Sequence, residues 1–97
     1  MNDTNNNPHS RAFPLGQTVI TRNALDQLHP EDVYLSLRRH ARRDWGDCCR
    51  EDARANNEAL LEGSRLLSVY RDRNGVKFWI ITVSDRSATT ILLPEDY

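Results

Sequence analysis

The chain has almost no lysine: of its 13 basic residues Lys77 is the single lysine, and the other twelve are arginine. Arginine forms planar, bidentate contacts and tolerates partial burial better than lysine. A GC-rich genome, which favours arginine codons, is the simpler source of the bias. Cysteine is nearly as scarce. Cys48 and Cys49 stand side by side, which excludes a disulfide framework and points to a reducing, cytoplasmic setting. No apolar run approaches the roughly 20 residues of a membrane span, and residues 1–10 hold no apolar signal-peptide stretch. A charge excess of one sign is also missing, since 13 basic and 14 acidic residues leave a formal net charge of −1. A DNA mimic needs a large acidic surplus, and a general polyanion binder needs a basic one.

What is there is 97 residues, 28% of them charged, enough for one modest core. Residues 1–11 are polar, with four asparagines and Pro8, and read as a flexible N-terminal tail. A single α+β domain is expected over 12–97. Within it 18–21 is a candidate strand, and Asn23 a candidate cap for a short helix through Leu28. Pro30 followed by Glu31 and Asp32 starts a second helix, which ends near Arg43. At 100° per residue, Val33, Tyr34, Leu37, His40 and Ala41 fall within an arc of about 120°. Arg38, Arg39, Arg42 and Arg43 lie opposite. Residues 44–47 read as a loop, with Asp47 capping a third helix that Gly63 terminates. Asn56 and Asn57 fall on the apolar face of that helix beside Cys49, Ala53 and Leu60. Either they satisfy loop backbone groups from inside, or the face is less buried than it looks.

The C-terminal third reads as strands over 65–71, 76–83 and 88–93. Asn74 and Gly75 are a strong hairpin signal, and a two-residue loop there pairs Tyr70 with Trp79 and Leu67 with Thr82. A second turn at Asp85 and Arg86 pairs Thr82 with Thr89, and Ile80 with Ile91. This register puts Leu66, Tyr70, Trp79, Ile81, Val83 and Leu92 on one face. Leu67, Val69, Phe78, Ile80, Ile91 and Leu93 fall on the other. Both faces are apolar, unlike the usual antiparallel sheet. Helices cover one; the second needs the N-terminal segment, a further helix or another chain.

No pattern carries catalysis: no G-x-S-x-G, phosphate-binding loop or dinucleotide fingerprint occurs, and Ser84, Asp85, Arg86 and Ser87 suit a turn as well as a site. His9, His29, His40, Cys48 and Cys49 show no metal-ligand spacing, so neither a metal nor another cofactor is expected. The arginines at 38–43 suit a phosphate backbone, yet late arginines also complement the helix dipole.

The series DWGD (44–47), EDxxxNxxAL (51–60), SxY (68–70), WIIT (79–82) and DRSxTTILLPExY (85–97) resembles short bacterial proteins of plasmids and integrating elements. Val83 stands where those proteins more often carry a polar residue. Some are labelled as related to the modification subunit of type I restriction systems. The glycine-rich cofactor motif and NPP[FY]-like motif of a DNA methyltransferase are both missing from this sequence. The resemblance implies a small α+β protein without an assigned activity.

The expected fold is therefore α+β. A three-stranded antiparallel β-meander, with 18–21 as a fourth strand, packs against two or three short helices. The expected function is that of a non-enzymatic accessory protein of a mobile genetic element, acting by protein–protein binding to a partner or a second copy. Trp45, Tyr70, Trp79, Asp85 and Arg86 are assigned to that contact. The alternative is a small nucleic-acid-binding regulator using Arg38, Arg39, Arg42 and Arg43. No membrane partner is expected.

Overall fold

A computed structural model describes residues 11–97. Of the expected tail, residues 1–10 lie outside the described residues. The chain folds as an α+β domain in the order β1 (Gln17–Ile20), α1 (Arg22–Gln27), α2 (Pro30–Ala41), α3 (Arg50–Glu62), β2 (Leu66–Arg71), β3 (Lys77–Thr82) and β4 (Ala88–Leu92), followed by a 3-10 turn (Pro94–Asp96). The sheet order is β1-β4-β3-β2. β2, β3 and β4 form the antiparallel meander, and β1 adds to β4 as a parallel edge strand. Among the described residues no helix is long and apolar enough to cross a membrane.

The helix ends show why the chain breaks where it does. Pro30 opens α2 behind His29, whose Nδ1 accepts from Glu31 N–H. Thr21, not Asn23, caps α1 by accepting from Ala24 N–H. α3 starts later than Asp47 predicts, at Cys49, which makes no side-chain capping bond. Asp47 instead lies in a turn ahead of the helix, its N–H bonding Val69 C=O. Gly63 closes the helix in a left-handed conformation.

The register of the second hairpin matches the sequence reading, with Thr82 opposite Thr89 and Ile80 opposite Ile91. The first does not. Tyr70 lies opposite Phe78, Val69 opposite Trp79, and Leu66 opposite Thr82, one residue from the expected pairing. The cause is Asp72, whose Oδ1 accepts from both Asn74 N–H and Val76 N–H. Asp72 N–H pairs with Val76 C=O, so the loop holds three residues, with Gly75 at φ +82. A three-residue loop with a left-handed glycine is the next alternative to the two-residue turn. A one-residue slip moves a whole strand to the other face.

The corrected inner face carries Leu66, Ser68, Tyr70, Phe78, Ile80, Thr82, Thr89, Ile91 and Leu93, all buried. α1 and α2 supply Ala24, Leu28, Val33 and Leu37 to one apolar cluster there. Phe13, Leu15, Ala41, Trp45, Ala59 and Leu66 build a second. The buried edge of α2 is rotated from the sequence reading: Ser36 is buried and Tyr34 is 58% exposed.

Candidate functional site

The first candidate is the polar chain inside the inner face. The corrected register and the 82–89 pairing bring Ser68, Thr82 and Thr89 beneath α2, where His40 points inward with no exposed surface. Thr89 Oγ1 donates to Leu15 C=O at 2.7 Å, so its oxygen is left to accept from Thr82 Oγ1 at 2.8 Å. Thr82 must then accept from His40 Nε2–H at 2.9 Å. Nδ1 is left as the acceptor, 2.5 Å from Ser68 Oγ. The network therefore selects the neutral Nε2–H tautomer. Burial, helped by the Arg86 charge, lowers the imidazole to about 4. Phe13 meets the ring edge-on at 5.3 Å, and Trp45 at 5.6 Å. Every polar atom of His40 is engaged, and aromatic rings screen it, so the arrangement organises the core.

Several residues assigned to a protein contact serve the fold in the same way. Trp45 is buried, and its Nε1–H donates to Asn57 Oδ1 at 3.0 Å. Tyr70 is buried too, its hydroxyl donating to Asp44 C=O, and burial raises the phenol. Asp85 accepts from Ser87 N–H within the turn. Arg86, at φ +63, donates to the carbonyls of Ser64, Val83 and Ala59 and covers Phe13. It ties the end of α3 to the turn before β4. Trp79 alone of the five lies on the outer sheet face, half-buried against Tyr97 with ring centroids 5.7 Å apart. The five residues do not converge.

Asn56 and Asn57 have structural partners. Asn56 accepts from Leu67 N–H at 3.0 Å and donates to Leu67 C=O at 2.7 Å. It thereby satisfies the open edge of β2 like a further strand. Next to it Val69 bonds Trp45 C=O and Asp47 N–H across a parallel bridge to Gly46. A Cβ on Gly46 would stand 2.0 Å from Val69 O, so only glycine fits this approach.

The outer face carries Leu67, Val69, Trp79, Ile81 and Leu92. None belongs to either apolar cluster, whereas the helices supply Ala24, Val33, Leu37, Ala41, Ala59 and Leu60 to those clusters and leave Leu25, Leu35 and Leu61 exposed. The C-terminal turn crosses this face, with Tyr97 against Trp79 and its hydroxyl accepting from Arg65. Ile81 and Leu92 are buried there, Leu67, Val69 and Trp79 partly so, while Val19 and Val83 at its margins are exposed. The 11–15 segment packs on the inner side instead.

The four arginines of the alternative reading do not act together. Arg39 makes a two-pronged ion pair with Asp44 and lies 4.9 Å over the Tyr70 ring. Arg43 adopts φ +70 just beyond α2. Arg38 and Arg42 instead line a cavity of about 380 Å³ with Arg11, between the N-terminal segment and α2. Its wall and floor are Tyr34, Leu15, Leu37 and Ala41. Sequence reading missed this site because Arg11 was assigned to the tail and Tyr34 to the core.

His29, Glu31 and Asp32 bring their ligand atoms within 4.8 Å of one another. Arg73 already holds both carboxylates, at 2.6 and 3.0 Å, and its hydrogen bonds lower Asp32 to about 2. Cys48 Sγ–H donates to Leu67 C=O, and burial raises its thiol. Comparison with known proteins finds no matching family model, no matching curated protein and no matching solved structure.

Proposed function

We propose that the protein is a non-enzymatic accessory protein that acts by binding another protein through the outer face of its sheet, a second copy of the chain included. The observation that carries this reading is the strip of Leu67, Val69 and Trp79, partly buried side chains that belong to neither apolar cluster of the described residues, with α3 bordering Leu67 and Tyr97 against Trp79. Apolar surface on a sheet face supports a protein contact where it stays in reach of solvent, and a partly buried tryptophan such as Trp79 is a preferred anchor. The resemblance to short proteins of plasmids and integrating elements supports an accessory role in a mobile element, in a cytoplasmic setting, with a partner that is another protein or a second copy.

The nucleic-acid reading has less support. Its four arginines are divided between an ion pair, a helix end and a cavity, so they present no continuous track for a phosphate backbone. Two parallel measurements test the proposal: light scattering on the pure protein, and affinity capture from host lysate with and without nuclease. A dimer, or a partner retained after nuclease treatment, is the expected result. A monomer whose captured material disappears with nuclease would contradict it.

A further inference from the structure

We infer that the cavity between the N-terminal segment and α2 is a binding site for a small anion with an apolar body, a carboxylate or phosphate monoester carried on a ring or short aliphatic group. The inference is independent of the outer-face reading. Three arginines, Arg11, Arg38 and Arg42, line one cavity of about 380 Å³. That size lies within the range of small-molecule sites, which combine apolar walls with a few converging polar groups. Here Leu15, Leu37 and Ala41 form the floor. Tyr34 forms one wall, with the Arg38 guanidinium 5.8 Å from its ring centroid.

The position of these arginines has a local explanation to be weighed, the complementing of the α2 dipole. The last carbonyls of α2 are, however, already met by backbone donors. Ala12 N–H bonds Ala41 C=O at 2.8 Å, and the N–H groups of Arg42, Arg43 and Asp44 bond Arg39 and His40 C=O. The first of these bonds also fixes the chain next to Arg11 at the cavity rim. Arg38 and Arg42 have further contacts within the chain, and the site does not need them idle. Each guanidinium offers five N–H donors in a fork that matches carboxylate and phosphate oxygens. An arginine set around an apolar floor discriminates for an anion that also brings apolar surface, which inorganic phosphate does not.

The test is an NMR titration of the full chain with phenyl phosphate, benzoate, inorganic phosphate and the capped dipeptide acetyl-Asp-Leu-amide. Saturable shifts centred on Leu15, Tyr34 and Leu37 are expected with phenyl phosphate or benzoate, at a dissociation constant of roughly 1 mM or tighter. Inorganic phosphate should bind at least about ten-fold more weakly. The ratio of phenyl phosphate to benzoate separates phosphoryl from carboxylate ligands. Binding by the dipeptide at least as tight as benzoate's assigns the site to an acidic peptide segment, whereas weaker dipeptide binding assigns it to a free metabolite. Arg38→Gln with Arg42→Gln should abolish the saturation. Tyr34→Ala, at an exposed position that leaves the fold intact, should weaken it several-fold. Equal affinity for phenyl phosphate and inorganic phosphate would overturn the inference, as would absent saturation in the folded wild type. Duplex DNA binding more tightly than either probe, with steep salt dependence, would also overturn it.

Discussion

The two faces of the sheet are both rich in apolar residues, yet they are built on opposite terms. The inner face buries a polar chain of Ser68, His40, Thr82 and Thr89 whose hydrogen bonds are all made within the domain. The outer face holds an apolar strip that, among the described residues, the C-terminal turn shields in part through Tyr97 against Trp79. A buried polar chain specifies one register, because any slip of β2 would leave a hydroxyl or an imidazole nitrogen unpaired. Under the proposed function, the partly buried apolar side chains of the outer side are the ones that meet a partner.

Neighbouring aromatic residues give the sharpest way to break this comparison. Phe78 has no exposed surface and Trp79 is half-buried on the opposite face. Phe78→Ala should cost about 3–5 kcal/mol in urea unfolding. Trp79→Ala should cost about 1–2 kcal/mol, because less of its area leaves water on folding. Equal costs would make the outer face part of the core.

Acid should act on the inner face first. His40 titrates near 4 when folded and at its ordinary 6.5 when unfolded. The unfolded chain therefore binds an additional proton between those values, and stability falls as pH drops from about 6.5 towards 4. The loss approaches about 3 kcal/mol at 1.36 kcal/mol per pH unit. Above about 6.5 the contribution is fully present. Asp32, held low by Arg73, loses its contribution only below about 4. Urea midpoints from pH 4 to pH 7 should slope upward in the wild type and flatten in His40→Gln. An unchanged slope would mean that His40 is not buried as a neutral ring.

Thr82→Val should cost about 1–3 kcal/mol, since it strands both the His40 Nε2–H and one lone pair of Thr89. The smallest effect is expected at the sheet edge. Asn56→Ala should cost about 1–2 kcal/mol and speed amide exchange at Leu67, whose N–H and C=O it pairs. Leu67 protection that survives the substitution would show that the edge is closed by something else.

Much of the fold was readable from local chemistry. Pro30, Gly63 and the register of the Asp85–Arg86 turn are signals contained within a few residues. The first hairpin was misread by one residue because Asp72, two positions ahead of the Asn-Gly pair, captures two turn amides. That single carboxylate puts Tyr70 and Trp79 on opposite sheet faces, where a two-residue turn would put them on one. The burial of Ser36 and exposure of Tyr34 were equally hidden, since a helical wheel ranks side chains by polarity and not by what they meet. Asn56 stands out on an apolar helix face, but its partner is a strand edge eleven residues away. The arginine cavity needed tertiary structure altogether, because the Ala12 to Ala41 bond and the packing of Phe13 and Leu15 with Ala41 bring Arg11 to α2.

The central claim is that the inner face maintains the fold and the outer face meets a partner. A single variant, Trp79→Glu, tests it when measured twice, once for urea stability and once for partner retention or self-association. The account predicts a folded protein within about 2 kcal/mol of the wild type that no longer holds its partner. A variant that fails to fold, or one that folds and keeps the partner, would contradict it.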